Sequence, residues 1–281
     1  MSGSAHPPKP ADAGTPGKYC PAAVSGRTIA RTSREHAIPI SAIIPTLNAA
    51  GSIAATIAAV TACVDEVVIT DGGSTDATIA LATALGARTI AAPRGRGTQL
   101  AAGAAAATSP WLLFLHADTI PGPAWPQAAQ DFIANPANTQ RAAHFRFALD
   151  DDSPHAKRLE RWVARRCAWL ALPYGDQGLL ISRALYDSIG GYKPLPLMED
   201  VDIIRRIGRH RLAALDAAFV TSAKRWQAEG WLRRSARNMT CLALWFLGVP
   251  PGRIIRIYGR KNGGADVAVP RPPVPPPSSE T

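Results

Sequence analysis

The chain has 281 residues, enough for one large domain or two small ones with a sizeable core. Hydrophobic residues make up 47% and charged residues 19%, a balance that excludes a wholly disordered chain. The 31 Lys+Arg against 21 Asp+Glu give a net charge of +10, which suits anionic partners such as nucleotides or bilayer headgroups.

Residues 1–37 are interrupted by Pro7, Pro8, Pro10, Pro16 and Pro21 and hold little to bury, so they read as a disordered leader. They lack the apolar run of a secretory signal. The body, residues 38–260, then alternates short apolar runs with helical segments. The pattern predicts strands over Ile38–Pro45, Glu66–Thr70, Arg88–Ala92 and Trp111–Leu115, with helices over Ser52–Ala62, Thr75–Leu85 and Thr98–Ala107 between them. Such βαβ units specify an α/β fold with a mostly parallel central sheet flanked by helices. Beyond Asp118 the pattern is less regular. It predicts strands over Ala142–Leu149, Gly178–Ser182 and Leu212–Val220, a basic amphipathic helix over Ala156–Leu172, and a helix opened by acidic residues over Met198–Arg209. Gln227–Phe246 reads as one helix or a pair. Residues 261–281 form a Pro-rich tail, disordered or in polyproline II.

Cys20, Cys63, Cys167 and Cys241 lie far apart with no C-x-x-C pair, which argues for a reducing compartment and against structural zinc. The longest strongly apolar stretch, Met239–Val249, is shorter than the roughly 20 residues a membrane helix needs. A cytoplasmic location is expected. The basic segments, with Trp231, Trp245 and Phe246, leave room for peripheral contact at the inner face of a membrane.

Ligands of open α/β sheets bind beyond the carboxyl ends of the strands. Each such end here carries a polar cluster: Pro45-Thr46-Leu47-Asn48, then Asp71-Gly72-Gly73-Ser74-Thr75-Asp76, then His116-Ala117-Asp118. A carboxylate at a strand end, such as Asp71, can accept hydrogen bonds from a base or ribose, or tie down its own turn. Asp118 follows a strand apolar enough to be central, where a carboxylate needs hydrogen bonds or a cation. Mg2+ and Mn2+ favour such oxygen ligands, and His116 could add a nitrogen to Mn2+ or contact the ribose. After the third strand, Arg94-Gly95-Arg96-Gly97-Thr98-Gln99 sets two arginines before a helix, where they can grip phosphate. Glu199-Asp200-Val201-Asp202 opens a helix, and stabilising the helix dipole would by itself account for it.

These motifs, in this order, resemble the family 2 glycosyltransferases of GT-A fold: Ile43-Ile44-Pro45-Thr46-Leu47-Asn48, Val68-Ile69-Thr70-Asp71-Gly72-Gly73-Ser74-Thr75-Asp76, Leu113-Phe114-Leu115-His116-Ala117-Asp118, and Gly190-Gly191-Tyr192 followed by Glu199-Asp200-Val201-Asp202. More narrowly, H-A-D-T and P-L-M-E-D-V-D resemble a bacterial subgroup, the arsenosugar-biosynthesis-type glycosyltransferases. The resemblance covers residues 38–260 and implies one GT-A domain, nucleotide-binding over 38–120 and acceptor-binding over 121–260. It implies that Pro45, Thr46, Asn48 and Asp71 hold the nucleoside and that Asp118 stands for the metal-binding aspartate of the family's D-x-D. Asp200 would be the general base, supported by Glu199, and Arg225-Trp226 would end the Q-x-x-R-W motif. Gly175-Asp176-Gln177-Gly178 resembles an acceptor-side loop, and a plain turn accounts for it equally well. Two positions depart from the family: His116 replaces the first aspartate of D-x-D, and Ser222 stands where the glutamine of Q-x-x-R-W would be.

The expected activity is an inverting transfer of a sugar from a nucleotide-diphosphate sugar to an acceptor hydroxyl, assisted by Mg2+ or Mn2+. The acceptor is open and a lipid-linked one is among the options; nucleic acid is not an expected partner. Two rivals share the layout: a nucleotidyltransferase, for which no glycine-rich motif with a lysine follows the first strand, and a non-catalytic nucleotide- or membrane-binding protein. The first strand ends in P-T-L-N and not G-x-G-x-x-G, which argues against a nicotinamide-dependent dehydrogenase.

Overall fold

The computed structural model describes residues 38–259; the leader assigned to 1–37 and the tail assigned to 261–281 lie outside them. The first half is built as the periodicity predicts: β1 (Ile38–Thr46), α1 (Ile53–Thr61), β2 (Val64–Asp71), α2 (Thr78–Ala84), β3 (Arg88–Ala91), α3 (Arg96–Ala106) and β4 (Trp111–Phe114). The second half adds β5 (Thr119–Pro121), α4 (Trp125–Ala134), β6 (Ala142–Leu149), α5 (Pro154–Leu170), β7 (Leu179–Ser182), α6 (Arg183–Ser188), α7 (Glu199–Ile207) and β8 (Leu212–Thr221). It closes with α8 (Lys224–Glu229), α9 (Trp231–Phe246) and α10 (Pro251–Gly259).

All eight strands form one sheet in the order β3-β2-β1-β4-β7-β6-β8-β5. The first four strands run parallel, as βαβ crossovers require. The second half is mixed: β7 lies antiparallel to both β4 and β6, β6 and β8 are parallel, and β5 is antiparallel to β8. The expectation of a mostly parallel sheet holds: β6 and β8 share the direction of the first four strands, and only β7 and β5, both after β4, run against them. Periodicity reports which residues face the core, but strand direction depends on connections, and the regular βαβ repeat ends at β4.

Both faces of the sheet are covered. In β1 the side chains of Ile40, Ala42 and Ile44 join Ile53 and Ile57 of α1 and Trp125 and Phe132 of α4 in one core. Ile43, on the opposite face, joins Leu100 and Ala104 of α3 and Val201 and Ile204 of α7 in a second. The near-continuous apolar character of β1 and β4 follows from this double burial. Gly103 lets α3 settle onto the sheet, since a Cβ there would stand 2.4 Å from Ile43 Cγ2. A smaller core joins Ala156 and Val163 of α5 to Phe147 and Trp226.

The predicted segment Gln227–Phe246 is a pair of helices, α8 and α9, broken at Gly230, whose φ of 88° stops the first. No helix among the described residues is long and apolar enough to cross a membrane. Trp231 and Trp245, offered above as membrane contacts, are half-buried; Trp162 and Trp169 of α5 are the exposed tryptophans. No disulfide joins Cys63, Cys167 or Cys241.

Candidate active site

The turns after β1 and β2 lock into each other. The buried Asp71 carboxylate accepts hydrogen bonds from Thr46 Oγ1 (3.0 Å), Gly73 N (2.9 Å), Ser74 N (2.7 Å) and Ser74 Oγ. Burial by itself would raise its pKa, but these hydrogen bonds, led by Ser74, hold it below the usual carboxylate range. Asn48, with φ of 51°, donates its backbone N–H to Ser74 Oγ (2.9 Å) and accepts from Thr75 N through Oδ1 (2.8 Å). Gln99 lies beneath this layer, buried, with Nε2 donating to both Thr46 O and Thr70 O at 2.8 Å. Thr46, Asn48, Asp71 and Gln99 thus form a preorganised strand-end platform, and Pro45 lies half-buried at its base. Arg94 projects from the loop after β3, exposed and without a hydrogen bond to the described residues.

Next to this platform is a cavity of about 130 Å³. Asp118 and His116 enter it from the end of β4, Tyr174 and Asp176 from the turn before β7, and Met198, Asp200 and Val201 from the start of α7. Thr221 and Ser222 at the end of β8, Arg225 and Trp226 of α8, and Arg234, Asn238 and Cys241 of α9 form the other wall. The topology explains the meeting: β4 is central in the sheet, and β7 and β8 carry their attached turns to the same edge.

Helix α3 begins two residues earlier than the periodicity predicts, so Arg96 sits in its first turn and not in a loop. Its guanidinium pairs with the buried Glu199 and stands 3.8 Å from Asp200 Oδ2. Burial, and then repulsion from Asp200, raises the pKa of Glu199, while Arg96 opposes that rise. Arg96 is itself pushed up: its desolvation is outweighed by Glu199 and Asp200. The Asp200 side chain is 15% exposed, and accepts from Gly175 N (3.1 Å) and Val201 N (2.8 Å). Met198, which precedes this pair, has φ of 66°, an uncommon left-handed backbone for a side-chain-bearing residue and a form of strain found at functional sites.

His116, the residue that replaces an aspartate, faces Arg96, with Nη1 3.4 Å from Nε2. Burial, then Arg96 and Arg225, lowers its pKa well below the ordinary value, so the imidazole is neutral. Arginine can only donate, so Nε2 must be the acceptor and the proton sits on Nδ1. Gly175 permits the packing, since a Cβ there would lie 2.4 Å from His116 Nε2. Asp118 is 31% exposed, with Arg225 Nη2 4.0 Å from Oδ2. Asp176 has its pKa pushed up to about 6, chiefly by burial, with Arg166 opposing and Asp200 adding to it. Its Oδ1 is buried with no hydrogen-bond partner among the described residues.

Gln177 does not reach the cavity. Its amide donates to Phe145 O (3.1 Å) and accepts from Tyr174 N (3.3 Å), which positions the turn carrying Asp176. Trp226 is buried edge-on against Phe147 at 6.3 Å, while Arg225 beside it is 68% exposed at the rim. Sequence reading missed Tyr174, Arg234, Asn238 and Tyr258, all on the cavity wall. Arg234 and Asn238 stand four residues apart on one helix face, the only signal that pointed to them.

The donor set can be tested against a divalent cation. Among the described residues no three His, Cys, Asp or Glu side chains are arranged to hold a metal. Mg2+ requires less, usually one or two protein carboxylates completed by substrate phosphates and water. Asp118, open to the cavity, and the unpartnered Asp176 Oδ1 meet that requirement, whereas His116 Nε2 already faces Arg96.

An α/β sheet covered by helices, with polar turns gathered at one edge, is a GT-A-like nucleotide-binding fold. The chain belongs to glycosyl transferase family 2, whose family model matches residues 41–191. A crystal structure of a mycobacterial protein aligns with a TM-score of 0.50 and 22% identity, covering 64% of this chain and 65% of that one. The chain therefore spans just under two thirds of the length of that relative. Glucosyl-3-phosphoglycerate synthase from Mycobacterium tuberculosis, in complex with Mn2+ and UDP-glucose, aligns with a TM-score of 0.47 and 22% identity over 65% of this chain and 69% of that one. The same synthase with Mn2+, UDP and glucosyl-3-phosphoglycerate gives 0.46 and 21%, over 65% and 70%. At 22% identity the likeness to the mycobacterial protein shows the fold alone. No curated protein sequence matches the chain.

Proposed function

We propose that the chain transfers a sugar, with inversion, from a nucleotide-diphosphate sugar to an acceptor hydroxyl. The observation that carries this reading is the convergence of Asp118, Asp176 and Asp200 on one cavity beside Arg96 and Arg225. The platform of Pro45, Thr46, Asn48 and Asp71 receives the nucleoside, with Gln99 holding it rigid from below. Arg94, Arg225 and Trp226 guide the diphosphate. Asp118 would hold Mg2+ or Mn2+, which when bound offsets the charge that builds on the departing diphosphate. Asp200 accepts the proton of the acceptor hydroxyl as its oxygen attacks the anomeric carbon. Glu199 and Arg96 orient Asp200, and Asp176 and Gln177 shape the acceptor side. The narrower kinship, to the arsenosugar-biosynthesis-type enzymes, rests on His116-Ala117-Asp118-Thr119 and on Pro196–Asp202.

The test is the formation of glycosylated acceptor and free nucleoside diphosphate by the full chain. Asp200→Asn should lower that rate by about 10²–10⁴-fold with nucleotide affinity unchanged. A rate within a few fold of wild type, or a fall in rate accounted for by lost nucleotide affinity, would sink the assignment.

Peripheral membrane contact belongs to the same proposal, now through α5, where Trp162 and Trp169 are 59% and 72% exposed beside Arg158, Arg161 and Arg165. Co-sedimentation with anionic vesicles tests it; the absence of any salt-sensitive binding would contradict it.

A further inference from the structure

The α9 wall of the cavity carries more positive charge than its neighbours neutralise. Arg234 and Arg237 are only 6% and 14% exposed, and both pair with one carboxylate, that of Glu229. Arg234 Nη1 lies 2.7 Å from Glu229 Oε1, and Arg237 Nη2 contacts Oε2. Two buried guanidiniums against one carboxylate leave a surplus cation, and a buried charge is costly unless paired and hydrogen-bonded. Aromatic faces hold both in place, with Arg234 4.8 Å from the Trp226 ring centroid and Arg237 5.4 Å from that of Tyr258. That contact orients a cation without cancelling its charge.

Polar capacity is also left over. Arg234 Nε, Arg237 Nε, Trp226 Nε1 and Asn238 Oδ1 are buried with no partner among the described residues. Buried polar atoms are ordinarily hydrogen-bonded, so the three of these on cavity-lining residues, Arg234 Nε, Trp226 Nε1 and Asn238 Oδ1, point to an absent ligand. Arg234, Asn238, Trp226 and Tyr258 all line the cavity that Asp118 and Asp200 enter from the other side.

We propose that this wall is an anion-binding subsite, in which Arg234 grips a phosphate-class group and Asn238 accepts a hydroxyl next to it. The guanidinium fork matches the oxygens of a phosphate, and burial strengthens the pairing. The inference rests on the reading of the cavity as a transferase site. The anion has two sources with the same chemistry: a phosphorylated acceptor, or the diphosphate of the donor.

The test is calorimetric titration of the full chain with inorganic phosphate. Arg234→Gln and Asn238→Asp should each weaken phosphate binding tenfold or more, the first by removing the cation and the second by setting a carboxylate against the anion. Circular dichroism establishes that each variant folds, and Asn238→Asp decides the matter if Arg234→Gln does not. No phosphate binding by the wild-type chain, or affinities within twofold in the folded variants, would overturn the subsite. Repeating the titration with saturating UDP, GDP or dTDP assigns the source. Phosphate that binds beside a nucleotide supports an anionic acceptor, and competitive displacement supports the donor diphosphate at the same subsite. A chain that binds none of these nucleotides, nor CMP, yet binds phosphate through Arg234 counts against the transferase reading and leaves the subsite standing.

Discussion

Arg96, in the first turn of α3, forms an ion pair with Glu199, in the first turn of α7, across 103 positions of sequence. The pair fastens the strand-end platform to the opposite wall of the cavity. It also answers the charge of a carboxylate that is 1% exposed, next to the more open Asp200. Breaking a buried pair from one side leaves the other charge unanswered.

Arg96→Met should therefore destabilise the fold. Because Arg96 is 37% exposed and water partly screens it, the expected cost is about 1–3 kcal/mol, below the range for fully buried pairs. Urea denaturation measures this. Adding Glu199→Gln to the variant should recover part of the loss, and no recovery would show that packing, not charge, is what Arg96 supplies.

Gln99 offers a second test. Its Nε2 bridges the carbonyls of Thr46 and Thr70, at the ends of β1 and β2. Gln99→Leu keeps the approximate volume and takes the amide from both carbonyls, but Thr46 O still accepts from Gly72 N (2.9 Å), so the expected cost is about 1–3 kcal/mol, that of one buried group losing its partner. Nucleotide affinity should fall together with stability, because the platform loses its support. Unchanged denaturation midpoints would mean that water replaces the amide.

Asp176 makes stability depend on pH. An unfolded aspartate titrates near 3.9, whereas burial pushes this one up to about 6. Between those values the folded state holds a proton that the unfolded state has lost, so the contribution of Asp176 is full below the lower value and declines as pH rises towards 6. Asp176→Asn should then be more stable than wild type above pH 6 and gain nothing below pH 4. Urea midpoints across that window, in a chelator that removes divalent cations, measure it. A difference that is constant with pH would contradict the assignment.

The parallel half of the fold was legible because β1, β2 and β4 are largely buried apolar runs and each crossover is a helix of ordinary length, even though the edge strand β3 is half-exposed. The turn residues Asn48, Asp71 and Asp118 were legible because polar groups rarely follow such strands without a purpose. The antiparallel placement of β7 was not, since Leu179–Ser182 reads as a buried strand in either direction. Nor was the burial of Gln99 and Gln177 beneath the surface they organise, because sequence offers the same amide for a ligand or for a neighbouring carbonyl. His116 shows the same limit: its departure from aspartate could be seen, but its pairing with Arg96 required the geometry.

The most direct test of the central claim is metal-dependent nucleotide binding by the full chain. Thermal unfolding is followed with UDP, GDP, dTDP and CMP, each with Mn2+, with Mg2+ and with neither. A ligand at 100 times its Kd stabilises a fold by about 2.7 kcal/mol. Such a rise is expected for one nucleotide only when the cation is present, and is lost in Asp118→Ala. A rise of equal size without the cation, or one that survives Asp118→Ala, would contradict the claim.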